Sequence, residues 1–249
     1  MLILISTQSC ISGSANDQVS SNSVDHKIWD ELVKSYVSPN GDVNYRGFKK
    51  DRVKLDSYLK LLSKSNISGQ TKNEQLAYWI NAYNAFTIDL IVNNYPVKSI
   101  KDIRNAKSFI AKATGDKQVW IEKLRYPFNG DELSLHSIES KKLLKDLFDP
   151  RIHFAVNCAS YSCPKLMNRA FTAANVQQSM DKMAVDFIND SRKNKIDTGK
   201  AEISELFKWY KNDFTTTGSL IDFLNKYSKI KLKKDAKIDY IPYNWNLNE

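Results

Sequence analysis

Residues 71–96 constrain the fold of this chain more than any other stretch. Thr71-Lys72-Asn73-Glu74 has the spacing of a capping box, in which the Thr hydroxyl and the Glu carboxylate satisfy backbone N–H groups left unpaired at a helix start. The run that follows, Gln75-Leu76-Ala77-Tyr78-Trp79-Ile80-Asn81-Ala82-Tyr83-Asn84-Ala85-Phe86-Thr87-Ile88, is apolar nearly all round. A helix with no polar face has to be covered on every side, so this one is expected to be buried. Tyr95-Pro96 stops it, because proline disfavours helical backbone at the residue before it.

The rest of the chain supplies the cover. Ile28, Trp29, Leu32, Val33 and Tyr36 lie at helical spacing within residues 26–37, and Pro39-Asn40-Gly41-Asp42 has turn chemistry. Further helices are expected over 51–63, after a Ser134 cap, and over 175–189, 202–211 and 219–227. Residues 98–115 read as a basic, peripheral, helical stretch. Gln118–Ile121 and Ile238–Pro242 read as short strands, and Phe128-Asn129-Gly130-Asp131 as a hairpin turn. The clearest strand is Arg151 to Cys158. Alternation there puts Ile152, Phe154, Val156 and Cys158 on one face and His153, Ala155 and Asn157 on the other. The expected class is α+β, a helix-rich single domain over residues 26–249, packed around a small β-sheet built on that strand. No internal repeat or second linker divides it.

Composition narrows the function. The net charge is +9, carried mainly by lysine, which favours anionic partners in general terms. Zinc-finger spacing, single-strand-binding motifs and arginine stripes interleaved with aromatics are not found, so nucleic acid is not an expected partner. No apolar run reaches the roughly 18 residues of a spanning helix. At the start, Met1-Leu2-Ile3-Leu4-Ile5 precedes Ser6-Thr7-Gln8-Ser9-Cys10, and small residues before a cysteine resemble a lipoprotein signal. On that reading, residues 1–25 are a signal and a flexible tether rich in Ser, Asn, Asp and Gly. Cys10 then carries lipid, and the domain sits at a bacterial cell envelope, membrane-anchored and facing the periplasm or the cell surface. The competing reading is a cytoplasmic tail with an incidental cysteine.

Reactive side chains concentrate in Asp149-Pro150-Arg151-Ile152-His153-Phe154-Ala155-Val156-Asn157-Cys158-Ala159-Ser160-Tyr161-Ser162-Cys163-Pro164. A nucleophilic thiol needs a lowered pKa, and a nearby base, a cation or a helix start supplies it. Cys163 precedes a proline, which favours the first turn of a helix, so it is the expected nucleophile. His153 is the expected base. Cys158 lies on the apolar face of the expected strand, where an inert thiol is usual. In an oxidising compartment the two cysteines could instead be joined as a disulfide. Glu139 is a candidate to orient His153. Asn81 and Asn84, three apart inside the buried helix, need partners and are candidates to orient a ligand or the imidazole, or to tie the helix to a loop. Asn157 and Ser160 complete the candidate binding set. His136, Glu139, His153 and the cysteines have metal-binding chemistry but no recognised ligand spacing, so neither metal nor cofactor is assigned.

These segments also carry a resemblance. Ala77–Phe86 (AYWINAYNAF), Tyr95–Ile103 (YPVKSIKDI), Leu133–Ser140 (LSLHSIES), Asp149–Leu166 (DPRIHFAVNCASYSCPKL), Phe207–Phe214 (FKWYKNDF) and Ile241–Asn248 (IPYNWNLN) occur in this order. Together they resemble the bacterial and plant family called domain of unknown function 547. Asn81, Asn84, Glu139, His153, Cys158, Ser160 and Cys163 fall on its pattern. One departure is Ser140, where the resemblance implies a histidine after Ile138-Glu139. The resemblance implies a largely uncharacterised family with many exported bacterial members, and it implies no activity.

The leading functional expectation is a thiol-dependent hydrolase or transferase acting on amide bonds, with Cys163 attacking, His153 taking the proton and Glu139 orienting the ring. The alternative is a non-catalytic envelope module that binds a small molecule, peptide or glycan, with Cys158 and Cys163 as a disulfide. A metal-dependent enzyme ranks third.

Overall fold

The computed structural model describes residues 23–103 and 124–249. Four helices build its first part: α1 (Lys27–Tyr36), α2 (Tyr45–Lys50), α3 (Arg52–Lys64) and α4 (Lys72–Asn94). The capping box forms as its spacing demands. Thr71 accepts from the Glu74 backbone N–H, and the Glu74 carboxylate accepts from the Thr71 backbone. Every residue of α4 from Leu76 to Val92 is buried, with α2 and α3 among the elements packed on it. Trp29 of α1 stacks on Tyr58 of α3 at 5.7 Å, closing the layer outside.

Beyond α4, a hairpin pairs β1 (Tyr126–Phe128) with β2 (Asp131–Leu133). Asn129 and Gly130 both take positive φ, as a tight two-residue hairpin turn requires. Ser134 caps α5 (Leu135–Ser137), which widens into a π-helical segment, α6 (Ile138–Asp146). A short turn, α7 (Ile152–Ala155), leads through the cysteine loop to α8 (Val176–Ile188). The last part holds β3 (Lys195–Ile196), β4 (Lys200–Ser204), α9 (Leu206–Trp209), α10 (Lys211–Phe214), α11 (Leu220–Tyr227) and β5 (Lys237–Ile241). The sheet order is β3-β4-β5, with β3/β4 antiparallel and β4/β5 parallel, Lys200 opposite Lys237 and Ser204 opposite Ile241. The parallel crossover carries α9, α10 and α11. Their aromatic side chains enclose Phe154 in a cluster with Phe187, Phe207, Phe214 and Phe223, at centroid separations of 4.8 to 6.2 Å.

The protein is therefore α+β and helix-rich, with about 48% of the described residues helical and two small sheets among them. No helix among the described residues is long and apolar enough to cross a membrane. The sheet, however, is not built on residues 151–158. That segment is a helical turn, with the Asp149 carboxylate accepting from the Arg151 backbone at 2.9 Å and gripping its guanidinium. The apparent alternation had no solvent face behind it, since residues 152–157 are all buried. A short apolar run covered on both sides does not distinguish strand from helix. Likewise, the helix expected over 202–211 is β4 followed by α9. Ala201 and Ile203 bury on one face of the strand, and Asn194 accepts the Ser204 N–H at 2.9 Å. Helix α2, capped by Asn44, was not expected, and no helix starts at Pro164. The signal segment, the strand at 118–121 and most of the basic stretch 98–115 lie outside the described residues.

Candidate functional site

The cysteine loop is assembled by buried amides. Asn84 on α4 donates to the Ala155 carbonyl at 2.9 Å and accepts the Asn157 N–H at 2.8 Å, bracketing the end of α7. Asn81, one helical turn earlier, does the same to Phe171, through bonds of 2.8 and 3.0 Å. Asn157 in turn ties the two ends of the loop. Its amide donates to the Pro164 carbonyl at 2.7 Å and its oxygen accepts the Ala159 N–H at 2.8 Å. Ala159 is thereby held at φ 58, a left-handed conformation costing a residue with a Cβ roughly 1–2 kcal/mol. Cys163 donates its N–H to the Ser160 carbonyl at 3.0 Å and closes the turn.

Together these bonds bring the Cys158 and Cys163 sulfurs to 2.6 Å, both as free cysteines rather than the disulfide weighed above. The Cys158 N–H points at Cys163 Sγ, 3.0 Å away, and the Ser160 hydroxyl lies 3.1 Å from Cys158 Sγ. Tyr243 closes the site from the C-terminal tail. Its hydroxyl is 3.4 Å from Cys158 Sγ and accepts from Ser160 Oγ at 3.0 Å. That tail is laced to the loop, with Tyr161 donating to Asn246 O at 2.7 Å, Ser162 to Asn244 O at 3.1 Å, and Leu247 bridging Ser160.

The two thiols titrate as a pair. Burial pushes Cys163 up, but hydrogen bonds from the Cys158 thiol, the Tyr243 hydroxyl, the Cys158 backbone and Ser160 outweigh it and bring Cys163 down to about 6. Cys158 goes the other way, raised first by its hydrogen bond to Cys163, then by burial and by the charge on Cys163. The two shifts belong to the pair, and their direction favours the thiolate at Cys163. Burial and the neighbouring thiols raise Tyr243 well above the usual phenol range, so it stays a donor.

His153 and Glu139 form a separate cluster. His153 Nε2 is 2.7 Å from Asp213 Oδ2, and its ring packs 4.0 Å from that of Tyr210. The Tyr210 hydroxyl donates to Glu139 Oε1 at 2.7 Å, so Glu139 engages the tyrosine and not the imidazole. Burial and then the charge of Glu139 raise Tyr210 and keep it protonated. Among the described residues no hydrogen bond joins His153 to either thiol. His136 is exposed, its carbonyl accepting from Ser140 Oγ at 2.7 Å. No group of three His, Cys, Asp or Glu side chains among the described residues is placed to hold a metal ion.

The structure thus brings Cys158, Ser160 and Cys163 together, sets Asn81, Asn84 and Asn157 as their scaffold, and holds His153 and Glu139 in a neighbouring network. Tyr210, Asp213 and Tyr243 were not singled out in the sequence. They lie in FKWYKNDF and IPYNWNLN, whose polar residues gave the only sign that these segments do more than fill a core.

Residues 67–188 match the model of the family described as "Protein of unknown function, DUF547". That segment is similar to this family. It runs from the approach to α4 through the end of α8, and so contains the asparagine brackets and both cysteines. Tyr210, Asp213 and Tyr243 lie beyond the DUF547 match, in the part of the chain that closes over the thiols. No curated protein and no solved structure matches the chain.

Proposed function

We propose that this protein performs thiol-based chemistry at the Cys158–Cys163 pair, and that the chemistry is dithiol–disulfide exchange. The observation that carries the reading is the packing of two free cysteines against each other in one buried loop, with one shifted toward thiolate and the other kept protonated. A lowered pKa makes an attacking thiolate available at neutral pH, and an adjacent protonated thiol is ready to resolve a mixed disulfide. The Cys163 thiolate attacks one sulfur of a substrate disulfide, and the S–S bond breaks, releasing one thiolate that takes a proton from water. Cys158 then loses its proton and attacks Cys163 Sγ, releasing the second substrate thiol. Two electrons pass to the substrate and the protein is left as the Cys158–Cys163 disulfide, which a small dithiol such as dithiothreitol returns to the reduced state.

The amide-directed hydrolase ranks second. The His153–Asp213 contact favours it, because an imidazole held by a carboxylate is the usual partner of a thiol nucleophile. The missing imidazole–thiol hydrogen bond among the described residues ranks it below the dithiol. An envelope location, with lipid on Cys10, belongs to the same proposal and rests on residues 6–10. Radiolabelled palmitate incorporation in a bacterial host, lost in Cys10→Ala, tests it.

The full reduced chain mixed with one equivalent of 2-hydroxyethyl disulfide decides between the two. Exchange predicts two thiols released per protein and an internal disulfide by peptide mapping, while Cys158→Ser stops at a mixed disulfide on Cys163 with one thiol released. Thiols that react only after unfolding, or two independent adducts on the native protein, refute the exchange reading.

A further inference from the structure

Beside the cysteine loop lies a cleft of about 300 Å³, walled by α8 and the chain that follows it, with Phe154, Met183 and Phe187 among its apolar lining. Four cations and two carboxylates line it, an excess of two positive charges. The carboxylates are already engaged. Asp186 pairs with Lys165 at 2.7 Å and Asp190 with Arg192 at 2.8 Å. Lys193 and Lys229 have no carboxylate partner among the described residues. Lys193 instead donates to the Tyr161 carbonyl and sits 5.0 Å from the Tyr161 ring, and Tyr161 is the residue midway between the cysteines. The cleft is therefore joined to the thiol loop by one lysine. Burial lowers the Lys193 pKa, and the charge on Cys163 is the largest influence opposing it, so the cation and the thiolate act on each other.

We propose that this cleft seats the carboxylate of a low-molecular-weight disulfide, so that the substrate class of the thiol pair is a small, carboxylate-bearing disulfide or thiol. The inference rests on the exchange reading and extends it. A partly desolvated lysine with no direct carboxylate ion pair gains more from an incoming anion than an exposed one does, because the interaction is less screened. The cleft volume suits a small ligand at the lower end of the usual range. The thiolate points the same way. Cys163 is only 5% exposed, which admits a small disulfide and shuts out one buried in a folded protein. Positive charge from lysine is spread over the whole chain, so the test has to separate a local seat from a general field.

The full reduced chain is mixed at low ionic strength with 3,3′-dithiodipropionate, 2-hydroxyethyl disulfide or cystamine, which are anionic, neutral and cationic. Each second-order rate is divided by the rate of the same disulfide with dithiothreitol. The expected order is anionic, neutral, cationic, with the anionic disulfide favoured at least about tenfold over the neutral one. Lys193→Ala combined with Lys229→Ala collapses that ratio. Lys60→Ala combined with Lys64→Ala, the same change of charge on α3 outside the cleft, preserves it. Equal normalised rates, or an equal fall in both double variants, overturn the carboxylate seat while a reactive neutral disulfide leaves the exchange reading standing. If none of the three reacts with the native protein, the exchange reading fails and the seat fails with it. Calorimetry of dithiodipropionate with the Cys158→Ser, Cys163→Ser double variant reads the seat without the reaction: heat that disappears on adding Lys193→Ala supports it, and no heat counts against it.

Discussion

Two parts of the protein bury polar side chains in the same few ångströms, and they put them to opposite use. On α4, Asn81 and Asn84 each spend both ends of the amide on one short stretch of backbone, through bonds of 2.8 to 3.0 Å. Both amides are buried and face backbone. In the loop they support, two sulfurs lean on each other, a backbone N–H and two hydroxyls, and those contacts favour the thiolate at Cys163 over Cys158. Saturated hydrogen bonding makes a scaffold. An unevenly protonated pair keeps a nucleophile in reserve, and the scaffold is what holds it there.

Breaking the scaffold has the largest expected effect. Asn84→Ala leaves the Ala155 carbonyl and the Asn157 N–H buried without partners, at a cost of about 4 kcal/mol in urea unfolding. A loss under about 1 kcal/mol would mean the amide is not the support described. A buried imidazole offers the next contrast. His26 meets the Tyr58 hydroxyl at 2.7 Å, and burial, opposed in part by Asp25, lowers its pKa from 6.5 to about 4. Its neutral form is the one that folds, so its contribution is whole above pH 6.5 and is lost as pH falls toward 4. The loss is about 3 kcal/mol, and His26→Gln should flatten the stability profile across that window.

Gly41 sharpens the comparison from behind the loop. Its φ is 90, and a Cβ there would overlap the Lys165 side chain, two residues past Cys163. Gly41→Ala should cost about 2 kcal/mol by thermal unfolding. The thiol predictions are smaller in free energy and more diagnostic. Iodoacetamide labelling of Cys163 should rise through a midpoint near pH 6, since the thiolate exists above it, and His153→Ala should leave that midpoint in place. A midpoint that moves to the ordinary thiol range in His153→Ala would put the imidazole at the sulfur and restore the amide-hydrolase reading. Tyr243→Phe removes one donor and should slow labelling at pH 6.5 by about threefold with little change in stability.

Much of the framework was legible before any coordinates. Thr71 and Glu74 announced the start of α4 and Tyr95-Pro96 its end, because capping and proline effects act within a few residues. Asn129-Gly130 announced the hairpin for the same reason. The class, α+β with many helices, was read correctly, although the strand its sheet was built on, Arg151–Cys158, is a helical turn. Residues 152–157 did not read correctly, since burial on both sides erases the periodicity that separates strand from helix. The site was half legible. Cys158, Ser160 and Cys163 stood out as near neighbours in the chain, whereas Tyr210, Asp213 and Tyr243 come from segments about 50 to 80 residues further on, and no local pattern links them.

By itself the sequence determined that α4 would be buried, where its helix begins and ends, and that two cysteines would lie close together in the chain. These are consequences of hydrophobic periodicity, capping and chain proximity, which depend on neighbours in the chain. Only the tertiary structure decided that His153 turns to Asp213 instead of a sulfur, that Glu139 engages Tyr210, and that Tyr243 closes the site. Those outcomes depend on burial and on hydrogen bonds between remote segments, and they exist only once the C-terminal tail has folded back across the loop.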